Sequence, residues 1–343
     1  MSRHKQEKLQ IGVIGVGGHG SKHLDCFTAC PQAELAAICD VNEQLLRQQG
    51  QKYGVSATFA DYREMLGEAE LDAVAVVLPD HLHRDACEAA FAAGKHVLVE
   101  KPMATTVEDA EAIVAAWKRA GTKLMVNWSN RWMPGFSLTK AALDAGELGE
   151  PLYIYARLNN TLRVPTKMLS WSANTRLPHW LMCHRLDIAR WYLGCEATKV
   201  RAVCRSKLLR SMGIDTPDFY QATIEFESGA VGNFENCWVL PESMPWTVDS
   251  KFQLVCTNGY ANIDPLLPVH VMATGQQATY QTPLFANVLG KPQGFVYDAI
   301  CHFVESVLNG TEPMITGDDG LAMTKVLCAV IESADAGGKI IEL

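Results

Sequence analysis

The first third of the sequence alternates short apolar runs with stretches of helical period, and this rhythm restricts the fold more than any other feature. Apolar runs such as LQIGVIG, AELAAICD and LDAVAVVLP have the length of buried strands, and a segment of helical spacing follows each of them. Parallel strands need helical crossovers, so this order predicts a parallel, doubly wound sheet in an α/β fold.

The rhythm changes after about residue 130, where the strands are joined by hairpin signals. FESGAVGNF contains a Ser-Gly turn, and QLVCTNGYANI contains an Asn-Gly turn, which is a strong hairpin signal. Two helical stretches near 295–308 and 318–336 close the chain. We therefore expect a second region built on a mostly antiparallel sheet.

A GxGxxG pattern lies between the first strand and the first helix. Its glycines permit a tight turn and a close backbone approach to a pyrophosphate, which then rests on the N-terminus of the helix. A glycine motif in this strand–helix context is typical of a Rossmann dinucleotide-binding domain. The predicted cofactor loop comprises Gly15, Val16, Gly17, Gly18, His19 and Gly20.

Asp40 ends the second predicted strand, and its position bears on which dinucleotide binds. A carboxylate there accepts the ribose hydroxyls of NAD and repels the 2′-phosphate of NADP. No arginine follows it before Arg47. The sequence therefore predicts NAD, in preference to NADP, as the cofactor.

The segments GVIGVGGHG, VLPDHLH and AGKHVLVEKPMA, with Asp40 at the second strand end, together resemble the Gfo/Idh/MocA oxidoreductases. The resemblance extends over essentially the whole chain and is strongest to about residue 150. It implies an NAD-binding Rossmann domain at 1–128 and an α/β domain at 129–343 with a large open, mostly antiparallel sheet. That second domain is expected to bind substrate and to form a homodimer or homotetramer, and the C-terminal helices are able to pack back on the first domain.

The resemblance also implies roles for individual residues. Lys101 matches the catalytic lysine of the family's Glu-Lys-Pro motif, and His184 with Asp187 matches its HxxD pattern near the catalytic centre. Asp80 stands where the family usually has asparagine. Further cofactor contacts are expected at Leu78, Pro79, Asp80, His83, Glu100, Lys101, Pro102 and Asn130.

At one position the sequence departs from the family pattern. Many members carry an aspartate four residues before the histidine, where this chain has Trp180. Three interpretations remain open: another residue supplies the carboxylate, Lys101 and His184 suffice, or the reaction is not a simple alcohol oxidation.

Residues 157–190 carry six basic side chains against one acid, Asp187. Arginines suit anionic groups and tryptophan faces suit sugar C–H surfaces, which predicts an anionic or highly hydroxylated carbohydrate. The alternative is that these arginines pair with acids elsewhere or across a subunit interface. Substrate contacts are predicted for Arg131, Arg157, Asn159, Arg176, Trp180 and Asp187.

Oxidation of an alcohol by NAD requires a base for the hydroxyl proton and a donor that steadies the oxygen. A partly desolvated lysine beside a cationic nicotinamide has a lowered pKa, and a histidine titrates near neutrality. Without a catalytic role, a lysine that follows a strand is usually a solvent-exposed charge, and a helical histidine near tryptophans is usually a hydrogen-bonded core residue. The position of Lys101 after the fifth strand, at the ligand-binding edge of such sheets, favours a catalytic role for it with His184.

Three functions fit the sequence. The first is an NAD-dependent oxidoreductase that transfers hydride between the nicotinamide and a sugar, sugar acid or cyclitol. The second is an NAD-dependent glycoside hydrolase that oxidises a hydroxyl transiently and eliminates the aglycone. The third is a non-catalytic regulator that senses NAD.

Composition excludes several other classes. The net charge of −8 argues against nucleic acid or anionic membrane as a partner. The polar N-terminus predicts no secretory leader, and no apolar run approaches the roughly 20 residues of a bilayer span. Eleven cysteines without a CxxC pattern predict reduced thiols in the cytoplasm. The pair His81 and His83 has no third ligand in its context, so we expect no metal.

Overall fold

The computed structural model describes residues 8–265, 270–273, 278–281, 285–288 and 290–343. Two compact units make up the chain, Met1–Ser129 with Asn287–Leu321 and Asn130–Ala286 with Ala322–Leu343. The strands are β1 Leu9–Ile14, β2 Ala33–Cys39, β3 Ala57–Phe59, β4 Ala73–Val76, β5 His96–Val99, β6 Leu124–Val126, β7 Pro151–Asn160, β8 Ala197–Arg205, β9 Phe219–Phe226, β10 Val231–Cys237, β11 Val248–Cys256, β12 Tyr260–Ile263, β13 His270–Ala273, β14 Ala278–Gln281, β15 Phe285–Val288, β16 Lys291–Gly294 and β17 Ile341–Glu342. The helices are α1 Gly20–Ala29, α2 Glu43–Tyr53, α3 Tyr62–Glu68, α4 His83–Ala92, α5 Val107–Ala120, α6 Pro134–Asp144, α7 Cys183–Leu193, α8 Leu208–Ser211, α9 Phe295–Asn309 and α10 Gly317–Asp335.

The first unit contains a six-stranded sheet in the order β3-β2-β1-β4-β5-β6. Every pair in it is parallel, which confirms the predicted doubly wound sheet. All four residues of β4 are buried, as expected for a central parallel strand covered on both faces. The strand order reverses between β1 and β4, and such a switch point opens a crevice for ligands at the carboxyl ends of the strands.

Local signals in the sequence set the ends of the helices in this unit. The side chains of Asn42, Asp61 and Thr106 accept N–H bonds in the first turns of α2, α3 and α5. Gly54 and Gly121 end α2 and α5 in the left-handed conformation, which glycine adopts at little cost. The helix boundaries therefore follow from short-range chemistry.

The segment Asn287–Leu321, which comes late in the sequence, also belongs to the first unit. Helix α9 packs on α1, where the Tyr297 hydroxyl donates to the Ala29 carbonyl at 3.4 Å. The first turn of α10 lies against the loop after β5, because a Cβ on Gly320 would come within 2.5 Å of the Met103 sulfur.

The second unit contains a seven-stranded sheet in the order β12-β11-β7-β10-β9-β8-β17. Only the β7–β10 pair among these is parallel, so the sheet is mostly antiparallel, as predicted. The Ser228-Gly229 turn joins β9 to β10, and Asn258-Gly259 joins β11 to β12. The two hairpins lie where their turn residues predicted them.

The two faces of this sheet differ because side chains alternate along each strand. Ile154, Ala156 and Leu158 of β7 are buried on the face that α7 covers. Ser250 of β11 pairs with Leu158 in the sheet and accepts a hydrogen bond from Arg185 of α7. Helix α7 therefore lies on the same face of the sheet as the Leu158 side chain. Odd-numbered residues of β7 therefore point to the opposite face.

The helices in the described part of the chain lack the combination of length and apolar character that a bilayer span requires. The longest of them, α10, has 19 residues. Its sequence includes three aspartates, a lysine and a glutamate, which a hydrocarbon environment would penalise.

Candidate active site

The glycine-rich loop leaves space beside its backbone. Gly15 has φ +91°, and a Cβ there would lie 2.3 Å from the Val77 carbonyl oxygen. A Cβ on Gly20 would lie 2.1 Å from the Gly15 oxygen, so the loop packs too closely for any side chain at these positions. At Gly17 and Gly18, by contrast, a Cβ would meet nothing within 4 Å. The loop therefore fits a pyrophosphate that approaches the backbone at its open glycines.

Helix α1 begins directly after this loop and has no acidic residue in its first turn. The unpaired N–H groups and the dipole of a helix N-terminus attract an anion. The start of α1 is therefore electrostatically suited to the phosphates of a dinucleotide.

The Asp40 carboxylate is fixed at the carboxyl end of β2. Its Oδ2 accepts the Val16 N–H at 2.9 Å, and its Oδ1 accepts the Asn42 N–H at 2.9 Å. These bonds hold the side chain beside the glycine-rich loop, and its contact with a ribose stays a prediction.

Glu100, at the end of β5, is the centre of a buried polar cluster. Its Oε1 accepts bonds from His23 Nε2 at 2.8 Å and Asn127 Nδ2 at 2.6 Å, and it lies 3.1 Å from His19 Nε2. Its Oε2 accepts the backbone N–H of Lys101 at 3.2 Å. The carboxylate therefore joins the glycine-rich loop, α1 and β6 to the backbone of Lys101.

The charge states in this cluster follow from burial and hydrogen bonding. Burial alone would raise the pKa of Glu100, but His19 and His23 outweigh it and hold the pKa well below its usual value. Burial lowers the pKa of His23 against the opposing effect of Glu100. We infer an ionised Glu100 that accepts a hydrogen bond from a neutral His23.

His83 connects the loop after β4 to the Glu-Lys-Pro turn through hydrogen bonds of its imidazole ring. Its Nδ1 lies 2.9 Å from the Pro102 carbonyl oxygen, and its Nε2 lies 3.0 Å from that of Leu78. Asp80 is buried in the same loop and accepts the His81 N–H at 2.9 Å. The structure thus brings the predicted cofactor residues between 78 and 102 together at one edge of the sheet. Asn130, also predicted for the cofactor, belongs to the second unit.

The buried histidines make stability depend on pH. Burial lowers the pKa of His23, His83, His96 and His302, whereas histidines of an unfolded chain titrate near about pH 6.5. Below about pH 6.5, these histidines therefore bind protons in the unfolded chain but stay neutral in the folded chain. We expect the free energy of unfolding to fall on acidification, by at most about 1.4 kcal/mol per pH unit for each histidine.

Urea unfolding followed by circular dichroism at several pH values measures this dependence. The His23→Gln variant keeps a donor for Glu100 but does not titrate, so its stability should vary less with pH than that of the parent. Stability that stays flat or rises on acidification would contradict the assignment.

In the second unit, Arg131 and Asp187 form a buried, two-pronged ion pair. Arg131 Nε donates to Asp187 Oδ2 at 3.0 Å, and Nη2 donates to Oδ1 at 2.6 Å. The guanidinium also lies 5.4 Å from the ring centre of Trp191. Both charged side chains are at most 5% exposed, so the pair fastens the start of this unit to α7.

His184 lies half-buried in the first turn of α7, directly after a π-helical turn at Pro178–Met182. Trp180, within that turn, donates its indole N–H to Asn160 Oδ1 at 3.3 Å. Trp171 packs edge-on against Trp180 with ring centres 5.6 Å apart. Trp171, Trp180 and His184 are each half-buried.

Arg157 and Asn159 point to the sheet face opposite α7. Arg157 Nε lies 2.8 Å from Asp249 Oδ2, and Asn159 Nδ2 donates to Glu235 Oε1 at 3.0 Å. The structure therefore separates these two predicted substrate residues from Asp187, which belongs to α7.

Three of the six basic side chains between 157 and 190 have acidic partners in the chain. Besides Arg157, Lys167 pairs with Glu242 at 2.6 Å, and Arg190 donates to Glu196 at 2.8 Å. These three basic side chains therefore follow the alternative interpretation, in which they pair with acids elsewhere in the chain.

The remaining members of this basic stretch lie in different surroundings. Arg185 is buried and donates to Ser250 Oγ at 2.6 Å, and burial lowers its pKa to about 10. Arg176 lies near Tyr220, whose pKa burial raises against the effect of that arginine. Arg163 is exposed. Arg163 and Arg176 are therefore the two basic residues of this stretch that could bind an anionic group.

Sequence reasoning missed His23 and Asn127 as partners of Glu100. His23 lies four residues after His19, so both face the same side at the start of α1, which is a usable signal. Asn127 follows β6, next to β5 in the sheet, but the sequence does not reveal which strands are neighbours.

Comparison with known families supports the fold and the reaction class. A family model described as an oxidoreductase family with an NAD-binding Rossmann fold matches residues 9–128. A second model, described as a GFO/IDH/MocA C-terminal domain, matches residues 136–262. The two matches fall on the parallel sheet and on the mostly antiparallel sheet, respectively.

Individual relatives extend along nearly the whole chain. The scyllo-inositol 2-dehydrogenase (NAD(+)) of Bacillus subtilis is 27% identical over 337 residues, covering 96% of this chain and 94% of the relative. The D-apiose dehydrogenase of Paraburkholderia graminis is 28% identical, covering 96% and 89%. The crystal structure of aldose-aldose oxidoreductase from Caulobacter crescentus, complexed with glycerol, matches with TM-score 0.82 and 26% identity, covering 98% of this chain and 100% of that one.

Proposed function

The chain belongs to the GFO/IDH/MocA family of NAD-binding oxidoreductases, and from this premise we propose that Lys101 handles the proton of a sugar or cyclitol hydroxyl that the enzyme oxidises. Relatives named for scyllo-inositol and D-apiose support this class of substrate. The reaction interconverts a CH–OH group and a carbonyl group, with NAD as the redox partner.

The residues that would hold NAD are those that fit it by shape and charge. The glycine-rich loop and the start of α1 would take the pyrophosphate, and Asp40 would take the ribose hydroxyls. The loop from Leu78 to Asp80 and the turn at Pro102 lie at the same edge. NAD, when bound, accepts or returns the hydride, and all other tasks fall to this chain's own residues.

One observation carries the assignment of Lys101. Its backbone N–H is bound by Glu100, and the other oxygen of that carboxylate lies 3.1 Å from His19 in the glycine-rich loop. Lys101 therefore has a fixed backbone position beside the predicted phosphate site, and its side chain is half-buried. Such a lysine can hydrogen-bond the reacting oxygen and receive its proton.

His184 is the second proton-handling group in this proposal. Its imidazole is half-buried in the first turn of α7, so part of its surface can meet solvent or substrate. Asp187 has both oxygens bonded to Arg131, which suits a supporting role for that pair. We therefore assign proton handling to Lys101 and His184 and not to Asp187.

We further propose that the substrate is a neutral polyol and not an anionic sugar. Three of the basic side chains between 157 and 190 pair with acids of the chain, and Arg131 pairs with Asp187. Trp171 and Trp180 offer partly exposed aromatic surface, which suits the C–H face of a sugar or cyclitol ring.

A screen of neutral and anionic sugars and cyclitols, with NADH and product followed together, tests this function. We expect NADH to accumulate in proportion to a ketone or lactone product from a neutral substrate. Release of an aglycone from a glycoside without net NADH would identify an NAD-dependent glycoside hydrolase instead. NAD binding without turnover of any substrate would favour a regulator.

Asp40 should determine the preference for NAD. We expect Asp40→Ala to lower the ratio of kcat/KM with NAD to that with NADP by about tenfold or more, since hydrogen bonds to charged groups contribute about 1.5–3 kcal/mol. Asp61→Ala, which removes another acid of the first unit, is the control. Equal coenzyme preference in the parent and Asp40→Ala would show that another residue discriminates.

We also propose that a second copy of the chain packs on the sheet face opposite α7. That face carries a shallow depression of about 520 Å³ lined by residues such as Tyr155, Thr223 and Glu235. The family resemblance supports assembly through this sheet. Light scattering after gel filtration should give a dimer or tetramer mass, and a monomer mass at all concentrations would contradict the proposal.

Cytoplasmic localisation is a further part of the proposal. No disulfide bond joins any of the eleven cysteines, which all lie within the described residues, as expected in a reducing compartment. Fractionation of the host cell with an antibody to this protein would test it, and recovery outside the cytoplasm would refute it.

A further inference from the structure

His19, His23 and Glu100 bring three potential metal ligands together. Their ligand atoms all lie within 4.8 Å of one another, and no other set of three in the described ranges is this close. Nε2 of His19 and Nε2 of His23 lie 3.1 and 2.8 Å from the same oxygen of Glu100. We propose that these three side chains form a reversible binding site for a divalent transition-metal ion such as Zn²⁺.

The donor set and spacing suit such an ion. Two imidazoles and one carboxylate are a common ligand set for zinc sites that keep one position open. Bonds of about 2.0–2.2 Å in a tetrahedron separate neighbouring ligand atoms by roughly 3.3 Å, so the two histidine–Glu100 distances of 3.1 and 2.8 Å would widen by only a few tenths of an ångström. All three ligand atoms already lie within 4.8 Å of one another.

The surroundings provide both support and access. Asn127 donates to Glu100 Oε1 and the Lys101 N–H donates to Oε2, so the carboxylate is held in place. His23 is fully buried, while the His19 side chain is 47% exposed. An ion can therefore approach from the exposed side of His19. Its bond to His23 Nε2 requires the proton that this nitrogen donates to Glu100 to move to Nδ1 of the same ring or to leave the site.

One feature limits the affinity of the site. A metal-bound histidine usually donates its second N–H to an oxygen, and loss of that bond weakens metal binding by roughly 10- to 100-fold. His23 Nδ1 is buried and has no hydrogen-bond partner among the residues that the structure describes. The ion should therefore bind reversibly and not as a permanent structural component.

The site lies next to Lys101, because the carboxylate of Glu100 accepts the Lys101 N–H at 3.2 Å. Binding of the ion does not depend on the proposed role of Lys101, so the site can be tested separately from the proposed function.

Binding of Co²⁺ and Zn²⁺ by the full chain tests the site without an activity assay. Equilibrium dialysis should show one ion per chain, and cobalt should give the visible absorption of a tetrahedral nitrogen and oxygen set. His19→Ala, chosen because its side chain is half-exposed, should weaken binding at least about tenfold. His81→Ala removes a histidine outside the cluster and should bind cobalt like the parent.

Glu100→Gln provides a second test, with circular dichroism as the check that the variant folds. Unchanged cobalt affinity in His19→Ala would overturn the proposal. Equal loss in His19→Ala and His81→Ala would overturn it too, as would a near-ultraviolet thiolate band, which would place the ion on cysteines. Tight cobalt binding in a protein without dehydrogenase activity would leave the site standing and would refute only the proposed function.

Discussion

Replacement of Lys101 by methionine should lower kcat by about 10²- to 10⁴-fold, which is the usual contribution of a positioned acid or base. Methionine has similar length but carries no proton, so the variant removes the chemistry with little change in volume. NAD affinity should stay within a few-fold of the parent, because the backbone bond to Glu100 does not depend on the side chain. Stopped-flow measurement of NADH formation and fluorescence titration with NAD separate the two effects.

Lys118→Met is the matched control for this experiment. Lys118 also belongs to the first unit, but its side chain is 57% exposed and pairs with Asp318 at 2.7 Å on the surface. Loss of a surface pair changes stability by at most about 1 kcal/mol and should leave turnover unchanged. Parent-like turnover in Lys101→Met would contradict the catalytic role assigned to this lysine.

The second large effect concerns the Arg131–Asp187 pair. Asp187→Asn should lower the free energy of unfolding by about 3–5 kcal/mol, because it leaves a buried guanidinium without its counter-charge. The double change Arg131→Met with Asp187→Leu should recover much of that loss, since apolar side chains can replace a buried pair. Urea unfolding of the parent, Arg131→Met, Asp187→Leu and the double variant, which together form a double-mutant cycle, measures the coupling between the two residues.

An exposed pair in the same unit provides the comparison. Arg210 and Asp215 lie 3.1 Å apart with side chains 66% and 82% exposed, so Asp215→Asn should cost at most about 1 kcal/mol. If Asp187→Asn kept the stability of the parent and instead raised KM, Asp187 would be a substrate-binding residue, as the sequence first suggested.

Much of the fold could be predicted because its signals are local. The apolar runs of β1, β2 and β4, the glycine motif and the Ser-Gly and Asn-Gly turns each determine the structure of a few residues around them. Helix α3 was not foreseen, since its seven residues are too few for a clear helical period. Its N-cap, Asp61, is the one local signal that marks it.

The arrangement of the candidate site could be predicted only in part. The sequence places Glu100 and Lys101 at the end of a strand, but the partners of Glu100 come from α1 and from the residue that follows β6. The alternation in β7 shows that Arg157 and Asn159 share a face, yet it does not reveal which face α7 covers. Charge counts along the chain left an anionic or highly hydroxylated substrate and internal pairing both open, because they do not show that Asp249, Glu242 and Glu196 neutralise three of the bases.

The double hydrogen bonding of Asp40 matters for anyone who would re-engineer this protein to use NADP. Replacing the aspartate removes the negative charge, but it also deprives the Val16 N–H of its acceptor and loosens the glycine-rich loop. A successful redesign therefore has two parts: a small residue such as serine at position 40 that keeps an oxygen, and a cation nearby. Val41, 89% exposed, is the position where an arginine could be introduced without disturbing the core.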